Sequence, residues 1–296
     1  MSKKLPKGSI VALITPFRED GTVNTDKIRE LVEFHIANKT DGILVLGTTG
    51  ETPTMTAQED ELVAKTAIEQ AAGRIPIIVG SGSNNTDYML QKSRLYEQMG
   101  ADGLLLISPY YNKANHAGLI RHFETVADAV NIPCILYNIP GRTGVSIPVD
   151  VVEHLSKHPN IQAIKEASGN IGYAMQIAPL LNENFQMYSG NDDQILPLLA
   201  IGGDGVISVW ANLEPEKVHT LVQSFHDGDL ETSRKLQLEG LDLVGSLFCE
   251  VNPIPVKTAM NILGKECGGL RLPLCEMDEA NKARLEASLK KAGLLA

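Results

Sequence analysis

The chain alternates between two hydrophobic patterns many times over. Short apolar runs rich in β-branched residues, the pattern of strands buried on both faces, fall at 9–14 (SIVALI), 43–46 (ILVL), 76–79 (PIIV), 103–107 (GLLLI), 133–137 (PCILY), 161–164 (IQAI), 185–188 (FQMY) and 205–209 (GVISV). Between them the spacing turns helical. Thr25 precedes Ile28, Leu31, Val32 and Ile36 on one helical face, and Thr56-Ala57-Gln58-Glu59 has the form of a capping box ahead of Leu62, Val63 and Ala67. Further helical windows cover roughly 86–99, 116–130, 148–157, 170–181 and 193–201.

Regular alternation of strand and helix predicts a parallel sheet, because each parallel pair needs a crossover long enough to hold a helix. Eight such units within about 210 residues predict an α/β fold of the (β/α)8 TIM barrel type, since a doubly wound sheet usually stops near six strands. Past the eighth strand the chain reads as helix at 214–226, 230–248, 253–264 and 278–292, with the turn KECGGLRLP at 265–273. That is more helix than one closing helix requires. The expected organisation is therefore a barrel domain over 1–225 and a C-terminal helical region over 226–296 packed on it.

Composition narrows the partners. The chain has 296 residues, 43% of them hydrophobic, and carries 26 Lys and Arg against 36 Asp and Glu, a formal charge of −10. There is no basic run or basic-aromatic interleaving, so nucleic acid and anionic membrane are not expected partners. The start MSKKLPKGSIVALITPF superficially resembles a secretory signal, but Pro6 and Gly8 interrupt it, no small-residue cleavage site follows, and Pro16 ends the apolar run well short of a membrane span. A cytoplasmic protein is expected. Cys134, Cys249, Cys267 and Cys275 show no C-x-x-C spacing and are expected to be reduced core thiols.

In a barrel of this kind active sites gather at the C-terminal ends of the strands. The segments there are GTTGET (47–52), GSGSN (80–84), SPYYN (108–112), YNIPGRTG (137–144), KEASGN (165–170), SGNDD (189–193) and SVWAN (208–212). On its own, Lys165 reads as a solvated charge at a strand end. At the mouth of a barrel it is desolvated instead, which lowers a lysine pKa, and a neutral amine attacks carbonyl carbon to form a Schiff base. Tyr137, at the end of the preceding strand, supplies a phenol for proton transfer, and Thr48 and Thr49, in a glycine-flanked turn, form an anion nest. Glu166 is given no catalytic role, because strand alternation turns it away from Lys165.

Competing chemistries lack their residues. GTTGET has neither the spacing nor the lysine of a phosphate-binding loop, and GSGSNNT is not G-x-G-x-x-G, so no nucleotide cofactor is expected. His154 and His158 stand at i, i+4 without an acidic third ligand and away from the strand ends, so no metal is expected. There is no G-x-S-x-G elbow.

Taken together, GTTGET, SPYYN, YNIPGRTG, IKEASGN, SGNDD, GVISV and NPIPVK (252–257) resemble the N-acetylneuraminate lyase and dihydrodipicolinate synthase family of class I pyruvate-dependent aldolases, over a span from about residue 8 to the C-terminus. The lyases of that family typically carry Ser at the position of Thr48 and lack the arginine after Tyr-Asn-x-Pro. Thr48, Arg142 and NPIPVK thus point to the synthase branch.

The resemblance implies condensation of pyruvate with aspartate 4-semialdehyde, at the entry to diaminopimelate and lysine, without a cofactor. In that reading Lys165 forms the imine, and Tyr137 exchanges protons in a relay with Thr48 and with Tyr111 from a neighbouring subunit. Thr49 and the backbone near Ile207 hold pyruvate with Gly190 close by, and Arg142 binds the carboxylate of the semialdehyde. The family is commonly a homotetramer, a dimer of dimers. Lysine-inhibited members hold lysine in a region similar to Thr52 to Asp60, Asn84, Tyr88 and Tyr110, using histidine and an acidic residue. This chain has Ala57, Asp60 and Tyr88 at the matching positions, which predicts weak or absent feedback by lysine. The alternatives are another pyruvate-dependent aldolase of the same family and a non-catalytic metabolite-binding barrel.

Overall fold

The structure, a computed structural model, describes residues 4–296. Eight strands, β1 (Gly8–Ala12), β2 (Gly42–Val45), β3 (Ile77–Gly80), β4 (Gly103–Ile107), β5 (Cys134–Asn138), β6 (Ile161–Glu166), β7 (Gln186–Ser189) and β8 (Gly205–Ser208), pair in sequence order into a closed parallel barrel. The ring shuts where Ile10 of β1 lies opposite Ile207 of β8.

Strand alternation sorts the apolar residues into two cores. Ile10, Leu44, Ile78, Leu105, Ile135, Ala163, Tyr188 and Ile207, one from each strand, fill the barrel interior. Their neighbours in sequence, such as Val11, Ile43, Val79 and Leu104, face outward into a larger core shared with the helices. Every strand is thus apolar on both faces, which is why the strands read as continuous runs.

The surrounding helices are α1 (Thr25–Ala37), α2 (Ala57–Ala71), α3 (Thr86–Met99), α4 (His116–Ala127), a one-turn α5 (Pro140–Thr143), α6 (Val149–Leu155), α7 (Ile171–Ile177), α8 (Ile195–Ala200) and α9 (Pro215–His226). Asparagine starts many of them: the side chains of Asn24, Asn85, Asn115 and Asn170 each accept an N–H of the first turn. Thr56 and Glu59 form the expected reciprocal capping box of α2.

Helices α10 (Leu230–Leu247), α11 (Ile254–Ile262) and α12 (Glu279–Lys291) follow the barrel. The fully buried Trp210, just past β8, lies where a Cβ on Gly240 of α10 would come within 2.2 Å of its ring. Helix α10 can approach that closely only through glycine.

Three expectations need correction. Strand β6 does not end at Ile164 but includes Lys165 and Glu166, which pair with Tyr137 and Asn138 on one side and with Tyr188 and Ser189 on the other. Ladder bonds use backbone groups, so a charged side chain does not stop them. The one-turn α5, opened by Pro140 and closed by Gly144 at φ 70, was not expected inside YNIPGRTG. Cys134 and Cys267 are buried thiols, but Cys249 is half-buried and Cys275 exposed, so only two of the four belong to the core.

Candidate active site

A cavity of about 440 Å³ opens beside the C-terminal ends of β2 to β5, and its lining includes Thr48, Asp60, Tyr88, Lys92, Tyr110, Tyr137, Arg142 and Thr143. Tyr137 comes from β5 and stands directly opposite Lys165 in the parallel ladder. Both side chains point into the barrel, and Lys165 Nζ lies 4.4 Å from the centre of the Tyr137 ring.

Burial dominates the electrostatics. Only 6% of Lys165 is exposed, and loss of hydration lowers its pKa from 10.5 to about 7. The Asp192 carboxylate opposes that shift and the Arg142 cation adds to it. The amine is thus poised between its neutral and charged forms near neutrality. Burial raises the Tyr137 phenol above its usual range, against the pull of the Thr48 side chain and of Arg142.

The turn after β2 supplies the hydroxyls. Thr48–Gly50 is a single 3-10 turn, so the N–H groups of its first residues have no partner within it. Thr49 is buried, and its Oγ1 accepts a hydrogen bond of 3.0 Å from Asn252 Nδ2. Asn252 also accepts, through its main-chain oxygen, a bond of 2.9 Å from Arg142 Nη2. One residue of the C-terminal region therefore braces both the threonine turn and the arginine at the mouth.

Gly190, at the end of β7, fits against Lys165. A Cβ there would lie 3.1 Å from Lys165 Cε and 2.5 Å from Ala167 Cβ, so any side chain would push the lysine aside. Ile207 fills the barrel floor on β8. Lys165, Tyr137, Thr48, Thr49, Arg142, Gly190 and Ile207 all come from the C-terminal halves of the strands or the loops after them. Tyr111 does not join them. It is 93% exposed and sits at φ 69 in the β4–α4 loop, held outward by the bonds of Asn84 Nδ2 to Tyr110 O and Asn112 Nδ2 to Asn84 O.

Two residues of this neighbourhood escaped the sequence reading. Asn252 lies in the segment expected only to pack, although NPIPVK marked it as unusual. Asp192 sits inside SGNDD but received no role. It is buried, and its Oδ2 accepts the N–H groups of Val209 (3.0 Å) and Trp210 (2.8 Å), fixing the end of β8. Glu166 is buried too and faces away from Lys165, accepting bonds from Asn138 Nδ2 and Ser168 N. It ties the end of β5 to the loop after β6. His154 and His158 each meet a different carboxylate, Glu124 and Asp128. Among the described residues no helix is long and apolar enough to cross a membrane.

Comparison with known proteins places this geometry. The sequence profile of the Dihydrodipicolinate synthetase family matches residues 5–292. A 4-hydroxy-tetrahydrodipicolinate synthase of Clostridium perfringens (strain SM101 / Type A) is 50% identical over 289 residues, which are 98% of this chain and 99% of that protein. The crystal structure of dihydrodipicolinate synthase from Aquifex aeolicus superposes with a TM-score of 0.95 at 46% identity, covering 97% of this chain and 98% of the other. A dihydrodipicolinate synthase variant characterised as monomeric has the same TM-score, 0.95, at 36% identity, covering 98% and 97% of the two chains. The chain belongs to the Dihydrodipicolinate synthetase family.

Proposed function

We propose that the chain catalyses the 4-hydroxy-tetrahydrodipicolinate synthase reaction, the condensation of pyruvate with L-aspartate 4-semialdehyde on the diaminopimelate route to lysine. The observation that carries this reading is Lys165, a buried amine with a pKa of about 7 facing the ring of Tyr137. The neutral amine attacks the keto carbon of pyruvate, water leaves, and the resulting imine withdraws electrons from the methyl group. Loss of a methyl proton gives the enamine that attacks the aldehyde.

Tyr137 delivers and receives protons at these steps, with Thr48 beside its phenol as the next member of the relay. Thr49 donates its hydroxyl proton to the pyruvate carboxylate, because its oxygen already accepts from Asn252. The backbone at Ile207 and Gly190 completes that pocket. Arg142, exposed at the mouth and steered by Asn252, binds the carboxylate of the semialdehyde.

The quaternary reading is a homotetramer in which Tyr111 completes the relay of a neighbouring subunit. Its support is an almost fully exposed tyrosine in a left-handed backbone, an expensive way to present a ring to water alone. Residues 1–225 form the catalytic barrel in this reading, and 226–296 a region that braces its mouth. A cytoplasmic setting agrees with four free thiols. Weak or absent inhibition by lysine is supported at Asp60, whose carboxylate already holds the Lys92 ammonium at 2.8 Å.

Borohydride reduction in the presence of pyruvate tests the chemistry. A pyruvyl adduct on Lys165 by mass spectrometry is expected, together with loss of nearly all turnover in Lys165→Ala; an unmodified lysine contradicts the Schiff base.

A further inference from the structure

Glu51 directly follows the Thr48–Gly50 turn, and its backbone is left-handed, at φ 55 and ψ 27. A glycine adopts that conformation without strain, whereas a side chain bearing Cβ adopts it only when its surroundings hold it there. The hold is visible. Glu51 Oε1 lies 2.8 Å from Lys257 Nζ of α11, with 0% and 1% of the two side chains exposed. Glu51 Oε2 accepts the main-chain N–H of Arg271 at 3.1 Å. The Lys257 ammonium and the Arg271 guanidinium both lie over the Phe17 ring, at 4.0 and 4.2 Å.

A buried ion pair is a poor device for stability alone, since losing hydration offsets most of the attraction. What it supplies is direction. A carboxylate bonded at both oxygens fixes the peptide planes just behind it, and the Glu51 N–H itself bonds to Thr48 O at 3.1 Å. Five residues before Lys257, Asn252 donates to Thr49 Oγ1 and so leaves the threonine proton free to point at a ligand. The same short stretch of the C-terminal region therefore grips Thr49 within the turn and Glu51 just after it.

We infer that Glu51 and Lys257 are positioning residues for the reaction: their pair sets the Thr48–Thr49 turn that receives the keto acid carboxylate. This rests on the function proposed above. Neither side chain touches substrate. Their effect reaches the reaction through the orientation of the Thr49 hydroxyl and the N–H groups beside it.

The test uses the full chain with both charges removed together, Glu51→Gln with Lys257→Met, because either change alone strands a buried charge. The expected double variant unfolds near the wild-type temperature and is still trapped on Lys165 by pyruvate and borohydride at saturation. Its KM for pyruvate rises about 10- to 100-fold, as misplacement by a fraction of an ångström to an ångström produces. Its KM for the semialdehyde stays within about threefold. Should the double variant not fold, Glu51→Asp keeps the charge and draws the carboxylate back by one carbon, and the same selective rise in pyruvate KM is expected. Both KM values within about threefold of wild type in the folded variant overturn the inference. A wild-type protein that pyruvate and borohydride fail to label overturns the function reading, and this inference with it.

Discussion

At the scale of single residues, the decisive quantity is the protonation of Lys165. Burial lowers its pKa from 10.5 to about 7, so the folded protein holds the amine neutral where an unfolded chain still holds it charged. Between those two values the unfolded chain binds more protons, and folding becomes more favourable as pH rises through the window; below about 7 the full penalty of burying the amine applies. Only the neutral amine attacks pyruvate. The rate of borohydride trapping should therefore climb with pH and level off above about 7, and a rate that keeps climbing towards about pH 10, as an ordinary lysine would give, contradicts a depressed lysine. Lys165, Tyr137, Thr48, Thr49 and Arg142 were legible in the sequence because each follows or ends an apolar run, and the barrel rule converts such positions into a common mouth. Asn252 was not. Its bond to Thr49 joins positions 203 residues apart, and no periodicity encodes a pairing of that kind.

At the scale of elements, strand and helix types were readable and their ends less so. The apolar run of β6 stops at Ile164 while the strand continues to Glu166, since neighbouring backbones rather than side chains decide where a ladder ends. The short α5 stayed hidden because a single turn fixed by proline and glycine has no period to detect. Packing of α10 depends on Gly240, a residue that helix propensity alone would replace by alanine with a gain of up to about 1 kcal/mol. Here the added methyl would lie 2.2 Å from the buried Trp210 ring. Overpacking of that kind costs about 1–3 kcal/mol, so Gly240→Ala should lower the unfolding midpoint in a thermal or urea melt, and a higher midpoint would show that the helix shifts freely.

At the scale of the whole molecule, the net charge of −10 repels anionic substrates from most of the surface. The Arg142 cation at the mouth supplies a local exception. If Tyr111 serves the neighbouring site, a Tyr111→Phe chain and a Lys165→Ala chain, each impaired alone, should complement when refolded together. A mixed dimer then has one site with its own Lys165 and the partner's Tyr111, restoring up to about a quarter of wild-type turnover in a random mixture. Activity no higher than the mean of the two parents contradicts the shared relay. Lysine is expected to inhibit steady-state turnover weakly or not at all, because Lys92 already pairs with Asp60, and half-inhibition at sub-millimolar lysine overturns that expectation.

The reach of Glu51 to Lys257 also has a meaning in time. The turn proposed to receive the substrate is among the first segments to leave the ribosome, but Lys257, the ionic partner of the adjoining Glu51, lies 206 residues further along. At the usual pace of synthesis that is an interval of about 10 to 40 s. For nearly all of it the nascent barrel has neither Asn252 behind Thr49 nor Lys257 beneath Glu51, and for about the first three quarters of it β8 is not yet available to close the ring on β1. The contacts behind the threonine turn are therefore complete only once residues 252–257 have emerged, close to the end of synthesis.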